Sequence, residues 1–147
     1  MMHTRDILVV EDMDEDFQSI LEAAKQCAVH NGIARAQSGD ACVLKLRELA
    51  DKEQALPALV LLDLNTPQGD GREALVQIKQ DVRLRAIPIV VLSGSANPRD
   101  LDFCYANGVN AYHVKPVNHG LHLLVLQHIL NYWINSVVSP FEPIHIT

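Results

Sequence analysis

Four short apolar runs, at residues 7–10, 59–62, 89–92 and 111–114, constrain the fold of this chain more than any other feature. Each is continuous rather than alternating, so a strand built from it buries both faces, as parallel strands covered by helices do. Helical spacings lie between them: Phe17, Ile20, Leu21 and Ala24; then Val43, Leu46, Arg47 and Ala50 after Asp40; then Leu75 and Ile78 after Asp70. A further helical segment at 99–107 ends at Gly108, a residue suited to a left-handed helix stop. A fifth strand is expected at 33–37, between Asn31-Gly32 and Ser38-Gly39. The βαβαβαβαβα order predicts an α/β fold, a doubly wound parallel sheet joined by right-handed crossovers. Ligands of such sheets bind beyond the carboxyl ends of the strands.

The 147 residues fit one domain, and 48% hydrophobic with 20% charged residues is a globular balance. No apolar run approaches the roughly 18 residues of a membrane span, so no membrane association is expected. The first residues carry no secretory signal pattern, which points to the cytoplasm. Cys27, Cys42 and Cys104 are too scattered for a disulfide framework or zinc site and read as small buried hydrophobes. Twelve basic against eighteen acidic residues give −6, and Glu11, Asp12, Asp14, Glu15 and Asp16 supply five of the negatives. Without a basic stripe, nucleic acid is not an expected partner. Asp14, Glu15 and Asp16 suit the first turn of the following helix. Glu11 and Asp12 suit a cation.

Just past the strands, polar residues gather on the ligand-binding edge: Glu11-Asp12, Asp63, Ser93 and Lys115. Each alone could be a turn, a cap or a solvated charge. Together they assemble carboxylates that would repel one another unless a hard cation such as Mg²⁺ joined them. A lysine and a hydroxyl beside that metal can hold phosphoryl oxygens, and an aspartate there can attack phosphorus.

The sequence resembles the receiver domain of two-component response regulators. The matching motifs are Ile-Leu-Val-Val-Glu-Asp (7–12), Leu-Val-Leu-Leu-Asp-Leu-Asn-Thr-Pro (59–67), Gly69-Asp70-Gly71, Ile-Val-Val-Leu-Ser-Gly-Ser (89–95) and Tyr-His-Val-Lys-Pro (112–116). The resemblance implies a flavodoxin-like five-stranded sheet ordered 2-1-3-4-5 with five helices, and a receiver unit over 5–135 followed by a tail, 136–147. It implies that Asp63 accepts a phosphoryl group from a histidine kinase. Mg²⁺ would be held by Asp12, Asp63 and the backbone carbonyl of Asn65, with Glu11 acting through water. Ser93, Gly94 and Lys115 would bind the phosphoryl group, Ser93 and Tyr112 would form the switch, and Asn65 and Ser95 would tune hydrolysis. The Lys115-Pro116 bond is often cis in this family. No external substrate is implied, so the chain reads as a signalling domain rather than an enzyme.

The last helix is expected at 118–135, with apolar residues around its whole circumference. From residue 103 onward the charges are Lys115 and Glu142. The ending at 131–141, rich in large apolar residues, is similar to that of small stand-alone regulators serving bacterial and cyanobacterial phytochrome kinases. A homodimer through Leu126, Leu130, Trp133 and Phe141 is the expectation; the alternative is a tail folded back on its own domain. Two other functions share parts of the pattern. A haloacid dehalogenase-type phosphohydrolase needs a second Asp two residues after the nucleophile, where Asn65 stands, and a flavodoxin-like FMN carrier needs a phosphate cradle where Glu-Asp-Met-Asp-Glu-Asp would repel one. A receiver kept purely for docking would not need the complete site.

Overall fold

In the computed structural model, which describes residues 5–67 and 70–141, the strands are β1 (Ile7–Val10), β2 (Ile33–Ala36), β3 (Leu59–Leu62), β4 (Ile89–Ser93) and β5 (Ala111–Val114). They pair in parallel in the order β2-β1-β3-β4-β5. The helices are α1 (Asp14–Gln26), α2 (Gly39–Asp51), α3 (Gly71–Gln80), α4 (Pro98–Ala106) and α5 (His119–Leu130). Gly69 and Glu142 lie outside the described residues.

The continuous apolar runs divide by the two-residue period of a strand. Leu8, Val10, Val60, Leu62, Ile89 and Val91 pack with Val43 and Leu46 of α2, Leu75 and Ile78 of α3 and Cys104 of α4. Ile7, Val9, Leu59, Leu61, Val90 and Leu92 pack on the other face with Ile20 and Ala23 of α1 and Leu126, Ile129 and Leu130 of α5. Both faces of the central strands are thereby covered, which is why these strands lack polar alternation.

Local chemistry sets the helix starts. Ser38, Asp70, Asn97 and Asn118 each turn a side-chain oxygen onto a backbone N–H of the first turn, at 2.8–3.1 Å. Gly108 stops α4 with φ +89°. Every described peptide bond is trans, Lys115-Pro116 included.

The C-terminal region departs from expectation. Helical structure begins at the expected start, with Asn118 as its cap, but after Leu130 it widens into a π-helical segment, Asn131–Ser136. Leu126 and Leu130, expected at a dimer interface, are wholly buried in the chain's own core, because α5 packs on the sheet beside α1. Trp133 is half-buried against the same cluster. Phe141 lies on the opposite core cluster, with the Arg5 guanidinium 4.6 Å from its ring centre. The tail therefore crosses beneath the amino ends of the strands, leaving a cavity of about 240 Å³ lined by Arg5, Ala58, Pro88, Trp133 and Pro140 among others. Exposed apolar surface on α5 is instead Leu121 and Leu124, continued by Tyr132 in the π segment.

Candidate phosphoryl-acceptor site

Strand register brings the polar residues together. Val10 pairs with Leu62, so Glu11 and Asp63 leave adjacent strands at one level. Ser93 pairs with Val114, and the Lys115 N–H donates to the Ser93 carbonyl at 2.7 Å. Lys115 thus emerges beside the end of β4 and reaches back across the strand ends. Its Nζ lies 2.9 Å from Glu11 Oε2, 3.1 Å from Asp16 Oδ2 and 3.3 Å from Asp63 Oδ2.

Glu11 is buried with both oxygens engaged: Oε1 accepts from the Met13 N–H at 3.1 Å and Oε2 from Lys115. Burial pushes its carboxyl up, against the pull of Lys115. The same burial draws Lys115 down, but Asp63 and Glu11 outweigh it and hold the amine firmly protonated. Asp63 is likewise fixed at both ends. Its Oδ1 accepts from the Asn65 N–H at 3.0 Å while Oδ2 faces Lys115.

Glu11, Asp12 and Asp63 each offer a carboxylate oxygen within 4.8 Å of the others. An all-oxygen, multiply negative set of this spacing fits a hard divalent cation. Asp12 and Asn65 also line one open cleft of about 570 Å³, together with Thr66, Asp70 and Arg72.

Above β4 the Ser93 hydroxyl is fully buried and accepts from the Ser95 N–H at 3.1 Å. A Cβ at Gly94 would meet no atom within 4 Å, so the space there is open. The Tyr112 hydroxyl donates to the Ser95 carbonyl at 2.8 Å, which places the ring over this loop, half-buried against the core. The Ser95 hydroxyl is committed to Asp100 Oδ2 at 2.6 Å, and Asp100 Oδ1 accepts from Arg72 Nε at 2.7 Å.

Three members of this arrangement escaped the sequence reading. Asp16 looked like a first-turn helix acid, yet it shares Lys115. Arg72 and Asp100 sit on separate helices, and no local spacing announces their contact. Asp16 alone carried a signal, since it lies in the first turn of the helix that directly follows Glu11-Asp12.

The model of the response regulator receiver domain matches residues 7–126, most of the chain. This chain belongs to the receiver-domain family. It is a phosphoacceptor signalling domain, and domains of this family bind a divalent metal in an acidic pocket and take their signal from a histidine kinase. Among curated relatives, it is 38% identical over 134 residues to the probable methanogenesis regulatory protein FilR2 of Methanothrix harundinacea, covering 91% of this chain and 86% of that protein. It is 36% identical to response regulator Rcp1 of Synechocystis sp., covering 91% and 92%. Among solved structures, the phosphorylated cyanobacterial phytochrome response regulator RcpA superposes with TM-score 0.86 at 35% identity, covering 93% and 99%. The Mn²⁺-bound form of Rcp1 gives 0.85 at 33%, covering 92% and 99%. Among the described residues no helix is long and apolar enough to cross a membrane.

Proposed function

We propose that this receiver accepts a phosphoryl group on Asp63 from a sensor histidine kinase, and that the kinase is a phytochrome. The observation that carries the first half is Asp63 held at both oxygens, by the Asn65 N–H and Lys115, beside the carboxylates of Glu11 and Asp12. The second half rests on likeness to RcpA and Rcp1.

In this reading an Asp63 oxygen attacks the phosphorus of a phosphohistidine; the P–N bond breaks, a carboxyl–phosphate bond forms, and the imidazole leaves. Asp12, Asp63 and the Asn65 carbonyl would hold Mg²⁺, with Glu11 acting on it through water. The metal supplies charge neutralisation for the incoming phosphoryl group. Lys115 and the Ser93 hydroxyl take its outer oxygens, with room above Gly94, and the movement of Ser93 is passed to Tyr112 through the Ser95 carbonyl. Ser95 and Asn65 tune hydrolysis, Ser95 by fixing the loop through Asp100. The domain occupies 5–135 and the tail 136–147, it catalyses only its own phosphorylation and dephosphorylation, and it works in the cytoplasm without contacting nucleic acid. Two copies associate along α5.

The test is intact-mass analysis after incubation with a phosphorylated histidine kinase or acetyl phosphate. Asp63→Asn keeps the fold and takes up no phosphate, and the wild-type chain in excess EDTA loses uptake as well. Labelling of the Asn variant at another aspartate would overturn the assignment.

A further inference from the structure

Lys115 is shared in this structure by Glu11, Asp16 and Asp63, yet it has one ammonium group to give. A phosphoryl group on Asp63 competes for it with more negative charge than any one carboxylate, so phosphorylation draws the amine toward Asp63 and away from the first turn of α1. Asp16, with its side chain 35% exposed, then loses the cation that neutralises it.

A replacement stands on α5, the helix packed directly against α1. His122, on the first turn of α5, is only 7% exposed, and neither ring nitrogen has a hydrogen-bond partner. Leaving a buried polar group unpartnered is destabilising, so one retained there calls for an explanation. The charged and titratable groups acting on it are Asp16 from α1, Lys115 from the β5–α5 loop and His119 on its own helix. Burial lowers its proton affinity first; Asp16 works to raise it, and Lys115 and His119 work against that. With Lys115 on Asp16, the balance favours the neutral imidazole.

We infer that Asp16 is a positioning residue that holds Lys115 in the unphosphorylated state, and that His122 takes one proton from solvent and becomes the counter-ion of Asp16 when Lys115 moves to the phosphoryl group. No bond is made or broken apart from that protonation. Its consequence is a charged α1–α5 contact that exists only in the phosphorylated form, on the two helices that cover one face of the sheet. The inference rests on Asp63 being the acceptor.

The experiment follows the histidine ring resonances of labelled protein through a pH titration, with Mg²⁺ alone and with Mg²⁺ plus beryllofluoride as phosphoryl analogue. His122→Gln assigns the signal among the seven histidines. The ¹⁹F signal reports whether the analogue is bound. The expected result is a rise of roughly one pH unit or more in the His122 midpoint on binding, about tenfold in proton affinity, absent in Asp16→Asn although the analogue still binds. A second arm needs no analogue: Lys115→Met raises the midpoint, and adding Asp16→Asn removes most of that rise, leaving only the part due to the missing ammonium charge. A bound ¹⁹F signal with an unmoved His122, or an equal rise in Asp16→Asn, overturns the inference while leaving the acceptor reading intact. No bound ¹⁹F signal overturns the acceptor reading and the inference with it.

Discussion

Asp100 shows how far a single charge reaches from the site. It lies on α4, accepts from Arg72 of α3 and from the Ser95 hydroxyl, and so ties the loop after Ser93 to the helix after Asp63. The hydrogen bond from Arg72, and then that from Ser95, hold its carboxyl down to about 2. Its folded value lies below the ordinary carboxylate value of about 4, so its stabilising contribution is complete above that pH and is lost as pH falls toward 2. The ion pair is partly open to water, which limits its worth to about 1 kcal/mol. Asp100→Asn is therefore less stable than the parent at pH 7 by up to that amount, and the gap closes between pH 4 and pH 2. Urea unfolding at several pH values measures it. A gap that stays constant down to pH 2 would show that packing rather than charge is at work.

At the scale of elements, the start of α3 decides where Asp63 sits. Gly71 packs so tightly that a Cβ there would stand 2.5 Å from the Asp63 carbonyl oxygen and 2.7 Å from Leu64 Cα. Both are backbone atoms, so a larger residue has to move the loop itself. Gly71→Ala is expected to cost about 1–3 kcal/mol through overpacking. It is also expected to displace the Asp63 carboxylate from Lys115 and to slow phosphate uptake, by up to about 100-fold for a displacement near 1 Å. Denaturant midpoints and initial rates of uptake from acetyl phosphate test the two effects separately. α5 shows a similar dependence on its surroundings. Its apolar residues look equivalent in the sequence, yet Leu126 and Leu130 are buried while Leu121 and Leu124 stay open, because α1 and the sheet occupy two of its sides.

For the molecule as a whole, the open question is association. Leu121, Leu124, His128 and Tyr132 fall at helical spacing on one exposed stripe. Lys115, the one lysine or arginine beyond residue 103, turns away from solvent into the site. A second copy of the same uncharged stripe meets no repulsion, and a two-fold pairing is the commonest closed arrangement. Leu124→Glu is expected to turn a dimer into a 16.3 kDa monomer by light scattering at tens of micromolar while phosphate uptake is unchanged. Trp133→Glu is a poorer test, since Trp133 packs against the chain's own core. A wild-type monomer at that concentration, phosphorylated or not, excludes the pairing.

The amino-acid sequence by itself determined the alternation of strands and helices, the parallel sheet and the position of the site. Continuous apolar runs can be buried only between two layers of helices, and Glu11, Asp12, Asp63, Ser93 and Lys115 follow those runs directly. The caps at Ser38, Asp70, Asn97 and Asn118 were equally local in origin. Tertiary structure alone decided which apolar residues of α5 are core, that Phe141 returns to its own domain, and that Asp16, Arg72 and Asp100 join the site. These contacts link residues far apart in the chain, and their energies depend on distances and shared burial that no periodicity encodes. A first-turn helix acid and the counter-ion of a lysine are the same residue type in sequence; the strand register together with the packing of α1 on the sheet brings Lys115 to Asp16.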